Sequence, residues 1–476
     1  MKKIITVAYL MLIISVLFAF GASAAIVAGD ACGENLAWSF DDDGTFTITG
    51  SGPMMDYDYN IPWKAYKRQI KNLIIADGVT SIGNRAFSGC TGLKTIVIPK
   101  SVKSIGDEAF RGCSGLASVE LNDGLKIIGT SAFSHCTAIS SVKLPASVIK
   151  MGDSVFLGCT TLKSITMQYG LTNIGDSAFW GCTALNSVDI PDSVKSIGDE
   201  AFRGCSGLVS VTIPGSVINI GEQAFKYCNA LSYVMMHDGV NNIGDEAFSS
   251  CESLVSADIP KSVNNIGNGA FKGCVGLASV VIPDNISKIG DDTFWWCTGL
   301  VSVYIPAKVT NISKSAFGAC TSLKEVSGAK GSFAEAFAKE NGYTFIQVGE
   351  ALFDTLIILT INDKKAIVNG DVVTNDVEPI LENSRTMLPA RFVAETLGAS
   401  VSWNDKKQMV SIKDSSTTIE IVIGENNALV NGKTKKLDAP AFLRNSRTYT
   451  PVRFICESLG AKVEWVEETQ RVIITK

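Results

Sequence analysis

Thirteen cysteines and two histidines are the residues of this 476-residue chain best suited to chemistry. Eleven of the thiols recur at a step of 23 residues: Cys90, Cys113, Cys136, Cys159, Cys182, Cys205, Cys228, Cys251, Cys274, Cys297 and Cys320. Stacked coils with that period would set neighbouring thiols about 5 Å apart, close to bridging distance. In-register side chains on parallel coils point the same way, however, which is poor torsional geometry for a disulfide. A zinc or copper site needs clustered ligands, yet there is no Cys-x-x-Cys pair and only His135 and His237. The spacing therefore reads as a ladder of small buried thiols. Neither histidine marks a Ser-His-Asp arrangement, because each replaces a regular repeat residue: the Gly before Cys136, and a strand-ending Pro. Asp41, Asp42 and Asp43 lack the alternating spacing of a calcium loop. No catalytic, cofactor-binding or metal-ligating residue is assigned, and the chain reads as a non-enzyme.

The elements that would position this ladder follow from the same period. A phenylalanine stands three residues before each cysteine of the series, as in Ala-Phe110-Arg-Gly-Cys113. In the coil that begins near Leu93, the residues Leu93, Ile96 and Ile98 have the spacing of a short strand that faces inward, and Pro99 ends it. Val102 and Ile105 give two more inward positions, Gly106 a tight turn, and Asp107 an N-cap for a one- or two-turn helix through Phe110. A fixed period in this range, with apolar ladders that repeat, predicts an α/β leucine-rich-repeat solenoid of about eleven 23-residue coils, each with one short strand and one short helix. One coil cannot bury its own apolar face, so the array needs covers at both ends. Residues 26–69 supply the first, with a β-hairpin around Asp41-Asp42-Asp43-Gly44, and residues 327–350 the second, with a helix capped by Ser332 and stopped at Gly342. The solenoid itself spans 70–326.

Beyond residue 350 the period becomes 62. Asn383-Ser-Arg385-Thr386, Pro389, Arg391-Phe392, Gly398 and Trp403 return as Asn445-Ser-Arg447-Thr448, Pro451, Arg453-Phe454, Gly460 and Trp465. Each half reads as strands, a helix that opens at the proline, and a Trp-containing hairpin, so 351–476 is expected to be a small α+β pseudo-symmetric domain. At the other end, Lys2 and Lys3, the apolar run Ile4–Phe20 and Gly21-Ala-Ser-Ala-Ala25 have the form of a signal peptide over 1–25. That run is shorter than the roughly 20 residues a spanning helix prefers, so no transmembrane helix is expected in the mature chain. Net charge is −5, and the part from 351 onward carries 16 residues of each sign. Without a basic stripe, a nucleic-acid partner is excluded.

The Ser-Ile-Gly-Asp-x-Ala-Phe-x-Gly-Cys unit resembles the BspA-like (Treponema-type) leucine-rich repeats of bacterial surface proteins, over about residues 32–346. The resemblance implies an exported binding protein, since several members are implicated in adhesion to host or matrix proteins and to other bacteria. Residues 357–475 look like the copper amine oxidase N-terminal domain, which in the oxidases is a stalk without the copper site. None of the oxidase chemistry carries over, because this segment contains no histidine.

The expected role is therefore a secreted or cell-surface binding protein whose partner is an extracellular protein or glycan of host matrix, other bacteria or cell wall. An alternative is a structural envelope component, with the repeats as spacer and the C-terminal domain as attachment. Specificity is expected where the repeat is broken. Tyr233, Met235, His237 and Tyr304 are candidate contacts on the strand face, and Trp180, Trp295 and Trp296 form a second patch. Arg385, Arg391, Arg447 and Arg453 are read mainly as pairing inside the C-terminal domain, with an acidic polymer as the other possibility.

Overall fold

The structure, a computed structural model, describes residues 24–58, 60–347, 355–368, 371–375, 377–382, 385–444, 447–466 and 471–476. The signal peptide expected over 1–25 lies almost wholly outside the described residues. The chain divides into two compact units, one ending at Gln347 and the other starting at Val348.

The first unit is the leucine-rich-repeat solenoid, in about 13 coils and not eleven. Its parallel face starts from the antiparallel strands Ile26–Ala31, Leu36–Asp41 and Thr45–Gly50. Thr45–Gly50 then pairs in parallel with Asn72–Ile75, and strands recur every 23 residues up to Glu325–Gly328. Most strands bury alternate residues, so Ile96 and Ile98 are 2% and 0% exposed while Val97 is 53% exposed. Two-residue strands such as Ser104–Ile105 and Ile127–Ile128 stack in parallel on a second side. One apolar core runs from Cys32 to Ala338.

The expected helix between Asp107 and Phe110 is absent, and its place is taken by three successive tight turns. The amides of Ala109, Arg111 and Cys113 close turns onto Gly106, Glu108 and Phe110. The alternate amides, of Glu108, Phe110 and Gly112, donate instead to Thr130, Ala132 and Ser134 of the next coil, at 2.8, 2.8 and 2.7 Å. An α-helix would point these amides along its own axis and none sideways at the neighbouring coil. The alternation forces left-handed backbone on ordinary residues: φ is +53° at Glu108, +55° at Ser131 and +55° at Glu200. Asp107 is correspondingly not a helix cap. Its carboxylate accepts the amide of Thr130 one coil on, at 2.8 Å, and Asp153, Asp176 and Asp199 repeat that bond.

Both side-chain ladders follow from this backbone. Phenylalanines 87 to 317 stack face to face, as in Phe202–Phe225 with centroids 5.1 Å apart and planes at 9°. Each thiol from Cys113 to Cys320 donates to the carbonyl of the Phe 26 residues earlier, as Cys205 Sγ does to Phe179 O at 3.1 Å. That carbonyl already accepts the amide of its own coil's cysteine, as Phe179 O does from Cys182 at 3.0 Å. All thirteen cysteines are free thiols and buried. Burial pushes the Cys205 and Cys159 thiols up to about 12, slightly offset by a backbone hydrogen bond.

The ends are covered as the array requires. Trp63 is fully buried against Phe87, with ring centroids 5.9 Å apart, and its Nε1 donates to Ala86 O at 2.8 Å. In the hairpin, the Asp41 carboxylate accepts the Thr45 amide at 2.7 Å, which makes it a turn residue. At the far end, the helix Phe333–Asn341 sets Phe337 on Phe317, with ring centroids 5.6 Å apart. Gly328 ends the last repeat strand because that helix needs the space: a Cβ there would come within 2.7 Å of the Ala334 Cβ. Ser332 precedes the helix but makes no side-chain cap bond, whereas Gly342 ends it in left-handed backbone at φ +74°.

In the second unit, strands Arg385–Pro389 and Arg447–Pro451 pair antiparallel, with Leu388 opposite Thr450. Each leads into a short helix, Ala390–Thr396 or Val452–Ser458. Two five-stranded sheets flank them, and each takes strands from both halves: Leu356–Thr360 pairs with Arg471–Thr475, and Met409–Lys413 with Thr418–Val422. Among the described residues, no helix is long and apolar enough to cross a membrane.

Two outcomes follow. Replacing Trp63 with Ala is expected to cost about 3–5 kcal/mol. Hydrogen exchange should then show the first coils opening before the middle ones, and uniform opening would contradict the end-cover role. Thiols near 9.0 when unfolded and about 12 when folded stabilise the fold fully below pH 9, and lose that contribution as pH rises towards 12. Urea unfolding should therefore weaken by about 1.4 kcal/mol per pH unit per such thiol above pH 9, and Cys205→Ala should lower that slope by about one proton.

Candidate functional site

The strand face and the turn edge present the candidate residues differently. On the strand face, serines make an exposed row through Ser118, Ser141, Ser164, Ser187 and Ser210. The row changes at Tyr233, which is half-buried and in register with Ser256, itself 9% exposed. Met235 was expected to face solvent, but it is only 6% exposed, and Val234, Met235 and Met236 are buried in succession. Bulky outward side chains on registered strands cover one another here, so the face closes locally. His237 is half-buried, and its amide is used by Ile213 O at 3.0 Å. Tyr304 is also half-buried, and its hydroxyl is pushed up to about 12 by burial, by the charge of Asp284 and by a hydrogen bond to that carboxylate.

The turn edge carries the exposed aromatics. Its backbone is fixed by the inter-coil bonds, so residues 23 apart lie on neighbouring coils: Gly181 N donates to Arg203 O and Gly204 N to Lys226 O, both at 2.8 Å. The Arg203 guanidinium lies 4.9 Å from the centre of the Trp180 indole and 5.8 Å from the Tyr227 ring. Lys226 Nζ is 5.4 Å from that same tyrosine ring. Arg203 is held by Glu200 and by Gln223, and Lys226 by Glu246. The result is an aromatic and cationic strip across three coils, in which each cation–π contact stabilises by about 0.5–1 kcal/mol. Trp180 and Tyr227 remain 37% and 45% exposed.

Further along the same edge stand Trp295 and Trp296, which are 36% and 59% exposed. Trp295 lies over Gly318 of the next coil, where a Cβ would come within 2.2 Å of two indole carbons. Trp296 and Tyr227 occupy a position that is glycine in six of the eleven coils and His135, Ser250 or Ala319 in three others. Their φ values of +59° and +63° lie with the +73°, +68° and +71° of Gly181, Gly204 and Gly273 and the +57° to +59° of those three. For a bulky aromatic that backbone is an outlier, costing on the order of 1–2 kcal/mol. Arg203, Lys226 and Tyr227 were not singled out from the sequence. The signal was present for the tyrosine, since Lys-Tyr227-Cys stands where other coils read Arg-Gly-Cys.

In chemical terms the edge can stack on flat surfaces, while its cations Arg203 and Lys226 are already paired with Glu200 and Glu246. Among the described residues, no group of three or more His, Cys, Asp or Glu side chains is placed to hold a metal ion. Of the four C-terminal arginines, Arg391 and Arg453 lie 3.7 and 3.9 Å from Glu395 and Glu457, one helical turn on.

Comparison with known proteins accords with this architecture. A family model described as the BspA type leucine-rich repeat region, in 6 copies, matches residues 61–186, 172–301 and 241–338. A second, the copper amine oxidase N-terminal domain, matches 347–412 and 367–474. A protease inhibitor from Brevibacillus choshinensis is 31% identical over 87 residues, 18% of this chain and 27% of that protein, so the match spans about a quarter of this relative. A leucine-rich cell surface protein from Faecalibacterium prausnitzii is 28% identical, with TM-score 0.36 over 67% of this chain and 98% of that one. A leucine-rich repeat protein from Eubacterium ventriosum is 22% identical, with TM-score 0.40 over 61% and 94%. The repeat family points to a non-catalytic binding or structural role. With its repeat model covering more than half of the sequence, the chain belongs to the BspA-type leucine-rich-repeat family.

Proposed function

We propose that this is an exported, non-catalytic binding protein of the cell surface or the medium, which recognises an extracellular protein or glycan through its repeats. The contacts lie along the turn edge, from Trp180 through Arg203 to Tyr227 and again at Trp295 and Trp296. Tyr233, His237 and Tyr304 contribute from the strand face, whereas Met235 is buried and contributes packing. The observation that carries this reading is the exposed aromatic in left-handed backbone at Trp296, in a position that glycine fills without strain. Strain that stability does not need is a mark of function. Flat aromatics beside cations on a stiff scaffold suit multivalent contact, in which each coil adds a weak interaction and the array adds avidity.

The glycine variants separate stability from recognition. Trp296→Gly is expected to melt no lower than the parent protein, because the strain is relieved, and Tyr227→Gly to melt close to it, because relieved strain offsets the two lost cation–π contacts. Together they should reduce retention on a panel of immobilised matrix proteins and glycans by at least ten-fold. Unchanged retention would remove the turn edge from the reading. Retention carried only by residues 351–476, on purified cell wall, would favour the spacer-and-attachment role instead.

A further inference from the structure

The C-terminal unit holds a cavity of about 550 Å³, within the usual range of small-ligand sites. Its apolar walls include Phe392, Leu443 and the indole of Trp403, which is 38% exposed. The Trp403 Nε1 donates to Asp405 Oδ1 at 3.2 Å, and this bond fixes the ring by its edge. Arg391, Glu395, Asp405 and Arg447 also line the space, so donors and acceptors of both signs surround it. One more lining residue is polar and buried. Asn375 is 4% exposed, and among the described residues its amide nitrogen has no hydrogen-bond acceptor.

The pseudo-symmetry supplies an internal control for that asparagine. Sixty-two residues on, its counterpart is Leu437, 3% exposed and part of the core. The two backbones are used identically: Asn375 N donates to Lys364 O at 2.7 Å, and Leu437 N to Asn426 O at 2.9 Å. The site thus accepts leucine in one half and holds an unsatisfied amide in the other. Leaving a buried donor unpaired is unfavourable, and among the described residues nothing accepts from this amide, so an acceptor carried by a ligand would satisfy it.

The surroundings narrow the chemistry of that acceptor. A carboxylate would meet Glu395 and Asp405 as well as Arg391 and Arg447, whereas a neutral carbonyl satisfies the Asn375 donor without bringing a charge into this mixed lining. A ligand with one flat apolar face and a rim of hydroxyls that both donate and accept would use the Trp403 face and the mixed charged rim together. We propose that this cavity binds an acetamido sugar, with its carbonyl oxygen accepting from the Asn375 amide and its ring lying on the Trp403 indole. The site is separate from the repeat edge and independent of the role proposed for it.

The test is calorimetric titration of the full-length protein with a β-linked trimer of N-acetylglucosamine, beside the de-acetylated trimer and a trimer of galacturonic acid. The acetylated trimer should bind, and the other two at least ten-fold more weakly. Asn375→Leu should weaken binding at least ten-fold without lowering the melting temperature, and the exposed-site variant Trp403→Ala should do the same. Trp296→Gly should leave binding unchanged, which separates this site from the repeat edge. Purified wall glycan strands and hyaluronan, as competitors, distinguish a bacterial from a host source of the same sugar. No binding of the acetylated trimer, equal binding of the other trimers, or full affinity in both site variants would overturn the proposal.

Discussion

The structure depends on how each coil divides its backbone amides. Along the turn edge, alternate amides close turns within the coil and donate to the next coil. Every second N–H is therefore an inter-coil bond, and neighbouring coils are held at a fixed spacing and register on that edge as well as along the strands. The cost is left-handed backbone at residues such as Glu108, Ser131 and Gln223. It is met because buried amides without partners would cost more. The phenylalanine stack and the thiol column are consequences: with coils held in register, identical side chains meet at one distance, and a flat ring and a small weak donor fit it.

A one-dimensional array of this kind has two open ends, and both are closed by aromatic residues. Trp63 and Phe46 contact the first ring of the stack, Phe87, and Phe337 contacts the last, Phe317. The C-terminal unit meets the open-edge problem differently. Its halves exchange strands, so each five-stranded sheet is completed by the other half, and the central pairing of Arg385–Pro389 with Arg447–Pro451 joins them. Such internal duplication leaves a single departure, such as Asn375 for Leu437, visible against its own counterpart.

Much of this architecture is legible in the sequence because periodicity is a direct record of stacking. The strand at Thr95–Ile98, the buried Val102 and Ile105, the cysteine ladder and the turn at Gly342 all follow from residue spacing. The segment at Asp107–Phe110 misleads for a physical reason. Asp followed by Glu, Ala and Phe suits a capped helix locally, and nothing in one coil reveals that half its amides are claimed by the next. Met235 misleads similarly, because strand alternation says which way a side chain points and not what covers it. Tyr227 was legible as a break from glycine. The Arg203 contacts were not, since a cation between two rings depends on coils 23 residues apart. The cavity at Asn375 depends on four separate segments and leaves no local pattern.

Regular and irregular positions thus separate: the repeated residues hold the array, and the contacts proposed for recognition fall at the departures from it. The cysteines test that division most directly, being the most reactive residue type and the most regular. Thiol titration of the full-length protein with a small disulfide reagent, under native conditions and in denaturant, decides it. Buried, unpaired thiols predict thirteen reactive groups in denaturant and almost none in the native protein. Fewer than thirteen in denaturant would reveal disulfides, and rapid native reaction within the ladder would show that these positions are not architecture alone.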